Sequence, residues 1–140
     1  MAHDTTSADP PTPCAVVVRV FLAFSAAVWL PYGVFCFFQP SFLAEAAGVT
    51  ATTTTATIEL RAMYGGLEFA IGSLAALAVF REALRRPALI TLAFLCAGLA
   101  LSRLLGAIID AEVSAYTGSA LAFELASAGL ATWFLFRKEQ

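Results

Sequence analysis

The fold is decided by residues 14–38, which read CAVVVRVFLAFSAAVWLPYGVFCFF. Arg19 is the one charged residue in this stretch. A helix that crosses the hydrocarbon core of a bilayer needs about 20 mostly apolar residues, because the core is about 30 Å thick and the helix rises about 1.5 Å per residue. The stretch therefore predicts a membrane-spanning helix.

The composition of the whole chain agrees with this prediction. Of the 140 residues, 60% are hydrophobic and 13% are charged, and the mean hydropathy is +0.82. Soluble domains carry about 45–50% apolar and about 25% charged residues, so a soluble fold and a disordered chain are both excluded. The formal net charge of -2 leaves no basic surplus for a phosphate backbone, which argues against nucleic-acid binding.

Three further stretches meet the same requirement of length and composition, at residues 58–80, 88–109 and 118–136. Backbone groups in lipid must be satisfied within their own segment, and strand-like alternation is absent, so helices are expected. The predicted fold class is all-α, an integral membrane four-helix bundle forming a single domain over residues 14–138. Residues 1–13 are predicted to be a disordered polar tail, without the basic residues of a signal peptide.

Basic residues in the connections predict the orientation. They lie between the second and third stretches and after the fourth, at Arg81, Arg85, Arg86, Arg137 and Lys138. The other two connections, residues 39–57 and 110–117, contain no Lys or Arg. Both termini are therefore expected to be cytoplasmic. The first outer loop is predicted to contain a short interfacial helix over residues 39–48, with Pro40 at its start and Gly48 past its end.

Ionisable residues inside the predicted spans mark the candidate site, because charge in a bilayer is costly and is usually functional or paired. Counting about 1.5 Å per residue places these groups in the outer half of the bundle. The candidates for binding a ligand or a proton are Arg61, Tyr64, Glu68, Arg103, Asp110, Glu124 and Glu59. Glu59 lies opposite Glu68 on its helix, which favours a position at the headgroups.

Helical spacing predicts that the charged faces meet. Arg61 and Glu68 share one stripe of the second helix, and Arg103 and Asp110 share a stripe of the third. Small residues beside these stripes permit a close approach of the helices. The predicted helix-packing positions are Gly65, Gly66, Gly72 and Gly106. Two pairings fit this arrangement, Glu68 with Arg103 and Glu124 with Arg61.

The charges in this half of the bundle do not balance. The acids are Glu59, Glu68, Asp110 and Glu124, and the bases are Arg61 and Arg103. Arginine stays charged, whereas a buried carboxyl group can take up a proton. The excess of acid favours a functional site that holds a proton, a cation or water. Structural pairing also explains such a network and stays open as the alternative.

The sequence contains no catalytic or metal-binding motif. It has no nucleophile–base pair, phosphate loop or dinucleotide fingerprint, and its one histidine, His3, lies in the polar tail. Its three cysteines show neither metal-ligand spacing nor a sensible disulfide pairing. No catalytic residue, metal or cofactor is therefore predicted, and an enzyme is not favoured.

Several segments resemble a known family. They are IELRAMYGGLEFAIG at residues 58–72, SRLLGAIID at residues 102–110, and the later Glu124. They resemble an uncharacterised bacterial family of four-helix membrane proteins, domain of unknown function 4345. The resemblance implies a protein of the bacterial cytoplasmic (inner) membrane whose recurring polar positions include the candidates above, and it implies no activity. The architecture alone also resembles DoxX-type membrane proteins, a likeness that does not transfer function.

Two functions follow as hypotheses. The first is a site for a small molecule, a lipid or a proton in the outer half of the bundle, with Glu68 as the acid and Tyr64 as a hydrogen-bond donor. The second is a structural or accessory membrane subunit in which the charge pairs serve helix packing or assembly. The expected partner is the lipid bilayer, and a homo-oligomer or a partner membrane protein is compatible with both hypotheses.

Overall fold

The computed structural model describes residues 13–137, and over these residues it contains helices and no strand. In chain order the elements are α1 (Pro13–Phe38), α2 (Phe42–Ala47), α3 (Thr54–Leu60), a π-helical segment (Arg61–Leu67), α4 (Glu68–Phe80), a short 3-10 turn (Glu82–Leu84), α5 (Arg85–Asp110) and α6 (Ala115–Phe136). The all-α prediction is confirmed. The predicted tail lies outside the described residues, apart from Pro13, which begins α1.

Four helices in the described part of the chain are long and apolar enough to cross a membrane. They are Ala15–Phe38, Thr54–Phe80, Glu82–Asp110 and Ala115–Phe136. The second of these, called here the second spanning helix, runs without a break through α3, the π-helical segment and α4.

The second and fourth of these helices begin a few residues before the apolar stretches that predicted them, at residues 58 and 118. In each case a capping residue lies directly before the helix. The Thr53 side chain accepts a hydrogen bond from the backbone N–H of Ala56, and the Ser114 side chain accepts one from Thr117, each at 3.1 Å. Such caps satisfy backbone donors that the first turn of a helix leaves free. The helices therefore begin at Thr54 and Ala115.

The first connection contains the short helix that the sequence predicts, although it covers only Phe42–Ala47. It ends at Gly48, whose φ of 69° lies in the left-handed region and whose N–H donates to the Leu43 carbonyl. Leu43 is fully buried, and α2 contacts α6. The loop between the first two spanning helices is thereby held over the end of the bundle.

The contact between α1 and the second spanning helix is close enough for the two backbones to touch. Gly33, Gly65 and Gly72 lie at this contact. A Cβ atom on Gly33 would lie 2.5 Å from the backbone nitrogen of Phe69, and one on Gly72 would lie 2.7 Å from that of Leu30. Only glycine permits this separation.

Two of the predicted packing glycines lie elsewhere. A Cβ on Gly106 would meet nothing within 4 Å, and one on Gly66 would meet only the Arg61 carbonyl oxygen at 3.9 Å. At neither position would an added Cβ meet another helix of this chain. A small residue permits a close approach, but the pattern does not say on which side the neighbouring helix lies.

Large aromatic side chains separate α1 from α6, and we call this interface the aromatic seam. Its pairs are Phe21–Phe134 (ring centroids 5.5 Å apart), Trp29–Phe123 (5.9 Å) and Tyr32–Tyr116 (hydroxyl oxygens 3.1 Å apart). Aromatic side chains hold two helices farther apart than glycine does. The bundle therefore has one narrow contact and one wide seam, both formed by α1.

We predict that Gly33→Ala destabilises the protein by about 1–3 kcal/mol, the usual cost of overpacking. The added Cβ would collide with backbone atoms of Phe69, which have no rotamer by which to move away. The measurement is the free energy of unfolding in detergent micelles. The matched control is Gly98→Ala, where a Cβ meets nothing within 4 Å, and alanine should be neutral or slightly stabilising there. Equal effects of the two changes would contradict the close contact.

Candidate functional site

A cavity of about 250 Å³ lies beside the aromatic seam. It is lined by residues of α1, α4, α5 and α6, in the half of the bundle that carries the 39–53 and 111–114 connections. Its apolar walls include Trp29 and Phe123. Its polar side chains are Tyr32, Glu68, Arg103, Tyr116, Ser119 and Glu124. Apolar walls with a few polar groups are typical of small-molecule sites.

The strongest polar interaction in the cavity joins Arg103 of α5 to Glu124 of α6. The Arg103 Nε donates to both carboxylate oxygens of Glu124, at 2.8 Å to Oε1 and 3.1 Å to Oε2. The Glu124 side chain is only 4% exposed, whereas that of Arg103 is 25% exposed. A charge-assisted bond of this kind is stronger than a neutral hydrogen bond. It ties α5 to α6 about 10 Å from the end of α5.

This pair differs from both pairings that helical spacing suggested. Among the described residues, neither Glu68 with Arg103 nor Glu124 with Arg61 forms an ion pair. The expectation was wrong in the choice of partners, although it correctly placed charges of neighbouring helices face to face. Spacing along one helix gives the face of a residue but not its rotation relative to the next helix.

Tyr116 connects the ion pair to α1. The Arg103 guanidinium carbon lies 5.8 Å from the centroid of the Tyr116 ring, within the range of a cation–π contact. The Tyr116 hydroxyl lies 3.1 Å from the Tyr32 hydroxyl of α1, and either can be the donor. The charged pair, the tyrosine ring and the two hydroxyl groups thus form one chain of contacts from α6 and α5 to α1.

Glu68 also lines the cavity, and it differs from the other charged groups there because it lacks a partner. It is half-buried and has no hydrogen bond or ion pair to any described residue. Arg103 and Glu124 neutralise each other, so an ionised Glu68 leaves the cavity with one uncompensated negative charge. Ionisable groups in this situation inside a membrane are usually functional.

Trp29 provides a second unsatisfied group in the cavity wall. Its side chain is buried, with 6% of the residue exposed, and its indole Nε1 has no hydrogen-bond partner among the described residues. A buried donor left without an acceptor costs about 1–3 kcal/mol. Such groups are therefore rare in folded proteins.

The remaining candidates lie outside the cavity. Arg61 donates from Nε to the Phe37 carbonyl oxygen of α1 at 3.1 Å. Glu59 and Asp110 are exposed, and Tyr64 is half-buried without lining the cavity. The structure therefore brings together three of the seven candidates, Glu68, Arg103 and Glu124.

The π-helical segment explains why Arg61 and Glu68 do not share a face. Its hydrogen bonds run from residue i to i+5, which widens each turn relative to an α-helix. Arg61 begins this segment and Glu68 follows it, so the α-helical spacing between them does not hold. As a result Arg61 reaches the backbone of α1 while Glu68 lines the cavity.

Three important cavity residues were not among the sequence candidates: Trp29, Tyr32 and Tyr116. Tyr32 and Tyr116 lie towards helix ends, where aromatic residues commonly lie at the headgroups, so their presence there did not mark a site. Trp29 lies nearer the middle of α1, where nothing in the sequence distinguishes it from a packing residue. The spacing between Tyr116 and Glu124 was the available signal. Eight residues along a helix turn about 80° past two full turns, which keeps Tyr116 within the broad side of α6 that carries Glu124.

The segments that carry the family resemblance contribute Glu68 and Arg103 to this cavity. The family described as Domain of unknown function (DUF4345) matches residues 17–135. The chain belongs to the DUF4345 family. The match includes every residue that lines the cavity, so the site is part of the DUF4345 domain. No curated protein and no solved structure matches the chain.

Over the part of this DUF4345 chain that the structure describes, no three His, Cys, Asp or Glu side chains lie close enough to hold a metal ion. Two cysteines, Cys36 and Cys96, are buried as free thiols. The charged and hydroxyl side chains of the cavity, among them Glu68, Arg103 and Glu124, can form ion pairs and hydrogen bonds with a bound molecule.

We predict that Arg103→Gln lowers the free energy of unfolding by about 3–5 kcal/mol, because it leaves the buried Glu124 carboxylate without its partner. Glu124→Gln should cost less, since Arg103 is more exposed and keeps its contact with Tyr116. The double variant should recover about 0.5–3 kcal/mol of the summed loss. Thermal unfolding of the purified protein in detergent measures all three, with Arg61→Gln as the control outside the cavity. Strictly additive losses would contradict the ion pair.

Proposed function

We propose that this DUF4345 protein is a multi-pass protein of the bacterial inner membrane that binds a small polar molecule in the cavity beside Arg103 and Glu124. One observation carries the proposal. Two residues that line the cavity carry polar groups without a partner among the described residues, the Glu68 carboxyl and the Trp29 indole N–H.

The placement in a membrane is supported by the outer surface of the bundle. Large apolar side chains lie on it almost fully exposed, among them Phe80 at 85% and Phe136 at 82%. Soluble monomers rarely expose large contiguous apolar patches, whereas lipid solvates such a surface. Four helices of sufficient length fit the same environment.

The orientation is proposed from the distribution of basic residues. Arg81, Arg85 and Arg86 lie at or beside the turn between α4 and α5, and Arg137 follows α6. Both termini would then be cytoplasmic, and the cavity would occupy the outer half of the bundle. The short helix α2 would lie at the outer interface.

A topology measurement tests this orientation. Thr52→Cys and Ala83→Cys, each in a variant with the three native cysteines replaced by alanine, place an exposed thiol at opposite ends of the bundle. In intact spheroplasts, a membrane-impermeant maleimide should label Cys at position 52 and not at position 83. The reverse pattern would contradict the orientation, and permeabilised cells provide the control for accessibility.

Among the three kinds of ligand that the sequence suggests, a small molecule fits the cavity best. A proton requires a carboxyl group such as that of Glu68 but no space of about 250 Å³. A whole lipid is too large for a space of about 250 Å³. The volume is somewhat below the range of about 300–1,000 Å³ that is common for drug-sized ligands, which favours a compact molecule.

A structural role is the second candidate, and the Arg103–Glu124 pair is the observation that favours it. This pair joins α5 to α6 and would serve packing whether or not a ligand binds. A purely structural role does not require the cavity. If the role is structural, a side chain that fills the cavity should leave the stability of the protein unchanged or increase it, since it removes empty space.

The two candidates are separated by Ala120→Leu, which adds apolar volume to the cavity wall without removing a polar group. We predict that the variant folds but loses a small molecule that co-purifies with the wild type. The control is Ala126→Leu, the same change at an exposed position of α6. The measurement is mass spectrometry of molecules released from protein isolated in native lipid. If wild type and Ala120→Leu release the same molecules, the proposed function is wrong.

A further inference from the structure

We infer that the cavity ligand is an organic cation, a compact ammonium compound whose charge pairs with Glu68 and whose apolar part lies against the aromatic walls. This inference rests on the proposed function and names the chemical class of its ligand. It follows from the charges of the cavity, from the residues of its walls and from the number of oxygen ligands available.

An ionised Glu68 leaves a place in the cavity for one positive charge. Arg103 bonds to Glu124 through both carboxylate oxygens, so these two groups neutralise each other. Glu68 is the remaining ionisable acid of the lining and has no partner among the described residues. An anionic ligand would add a negative charge beside Glu68, whereas a cation would pair with it.

The walls of the cavity suit an organic cation. Trp29, Tyr32 and Phe123 line it together with Glu68, and aromatic faces attract cations, with tryptophan the most effective. The fourth ring, Tyr116, already lies under the Arg103 guanidinium, which shows that a planar cation is accommodated at this end of the cavity. A carboxylate beside aromatic faces is an arrangement that recognises substituted ammonium groups.

A hard metal ion fits the same cavity less well. Calcium takes about 6–8 oxygen ligands, and magnesium requires an octahedral set. The lining offers two carboxylates, of which Glu124 is engaged with Arg103. An ammonium group needs only one carboxylate, because the aromatic rings and hydrogen-bond acceptors satisfy the remainder of its surface.

The test compares four probes of similar size on the full-length protein in lipid nanodiscs. They are phenethylammonium, its neutral isostere phenethyl alcohol, the anion phenylacetate and the zwitterion phenylalanine. Binding is measured by isothermal titration calorimetry. We expect phenethylammonium to bind at least tenfold more tightly than each of the other three, because only this probe brings a net positive charge to the cavity.

The variant that tests Glu68 directly is Glu68→Gln, which keeps the shape of the side chain and removes its charge. We expect it to weaken the binding of phenethylammonium at least tenfold and to leave that of phenethyl alcohol unchanged. The matched control is Glu45→Gln, at an exposed acid of α2 outside the cavity, which should bind like the wild type. Because the four-probe comparison uses the wild type, it decides the question even if the Glu68 variant does not fold.

The outcomes distinguish this inference from the proposed function. If the alcohol, the anion or the zwitterion binds more tightly than phenethylammonium, the inference that the ligand is a cation is wrong. The proposal that the cavity binds a small molecule still holds in that case. Equal binding of phenethylammonium to wild type and Glu68→Gln overturns the pairing with Glu68. If no probe binds while a small molecule co-purifies with the wild type, the ligand class is wrong; if none co-purifies either, the proposed function fails as well.

Discussion

The close contact of α1 with the second spanning helix is the constraint on which the rest of the bundle depends. Gly33 and Gly72 bring the two backbones together, so α1 cannot also move close to α6. Aromatic side chains span the wider gap on that side, and the cavity lies where the Trp29–Phe123 and Tyr32–Tyr116 pairs leave it unfilled. The size of the candidate site thus depends on the contact at Gly33 and Gly72.

The polar groups of the cavity divide into those that are satisfied and those that are not. Arg103, Glu124 and Tyr116 form a connected set in which each charge has a partner. Glu68 and the Trp29 indole N–H have none among the described residues. In a lipid environment an unsatisfied polar group costs more than it does in water. A protein that served packing alone would have no reason to keep both of them in one cavity, and this asymmetry supports binding.

Much of this fold could be predicted from the sequence, because apolar length and the absence of charge determine where helices can cross a bilayer. The face that each charge occupies could be predicted only where the helix is regular. Across the π-helical segment the spacing between Arg61 and Glu68 no longer applies, so Arg61 bonds to α1 while Glu68 lines the cavity. The partners of the charges were assigned wrongly because spacing within one helix does not give its rotation relative to the next. The role of Trp29 could not be predicted either, since it depends on a gap that exists only after the helices have packed.

A ligand held in the cavity beside Arg103 and Glu124 should be visible in an electron cryomicroscopy map of the protein isolated in its native lipids. We expect density that belongs to no residue of the chain, in contact with the Glu68 carboxylate and facing Trp29. A map in which Glu68 bonds directly to Arg103 and the side chains close the cavity would contradict it.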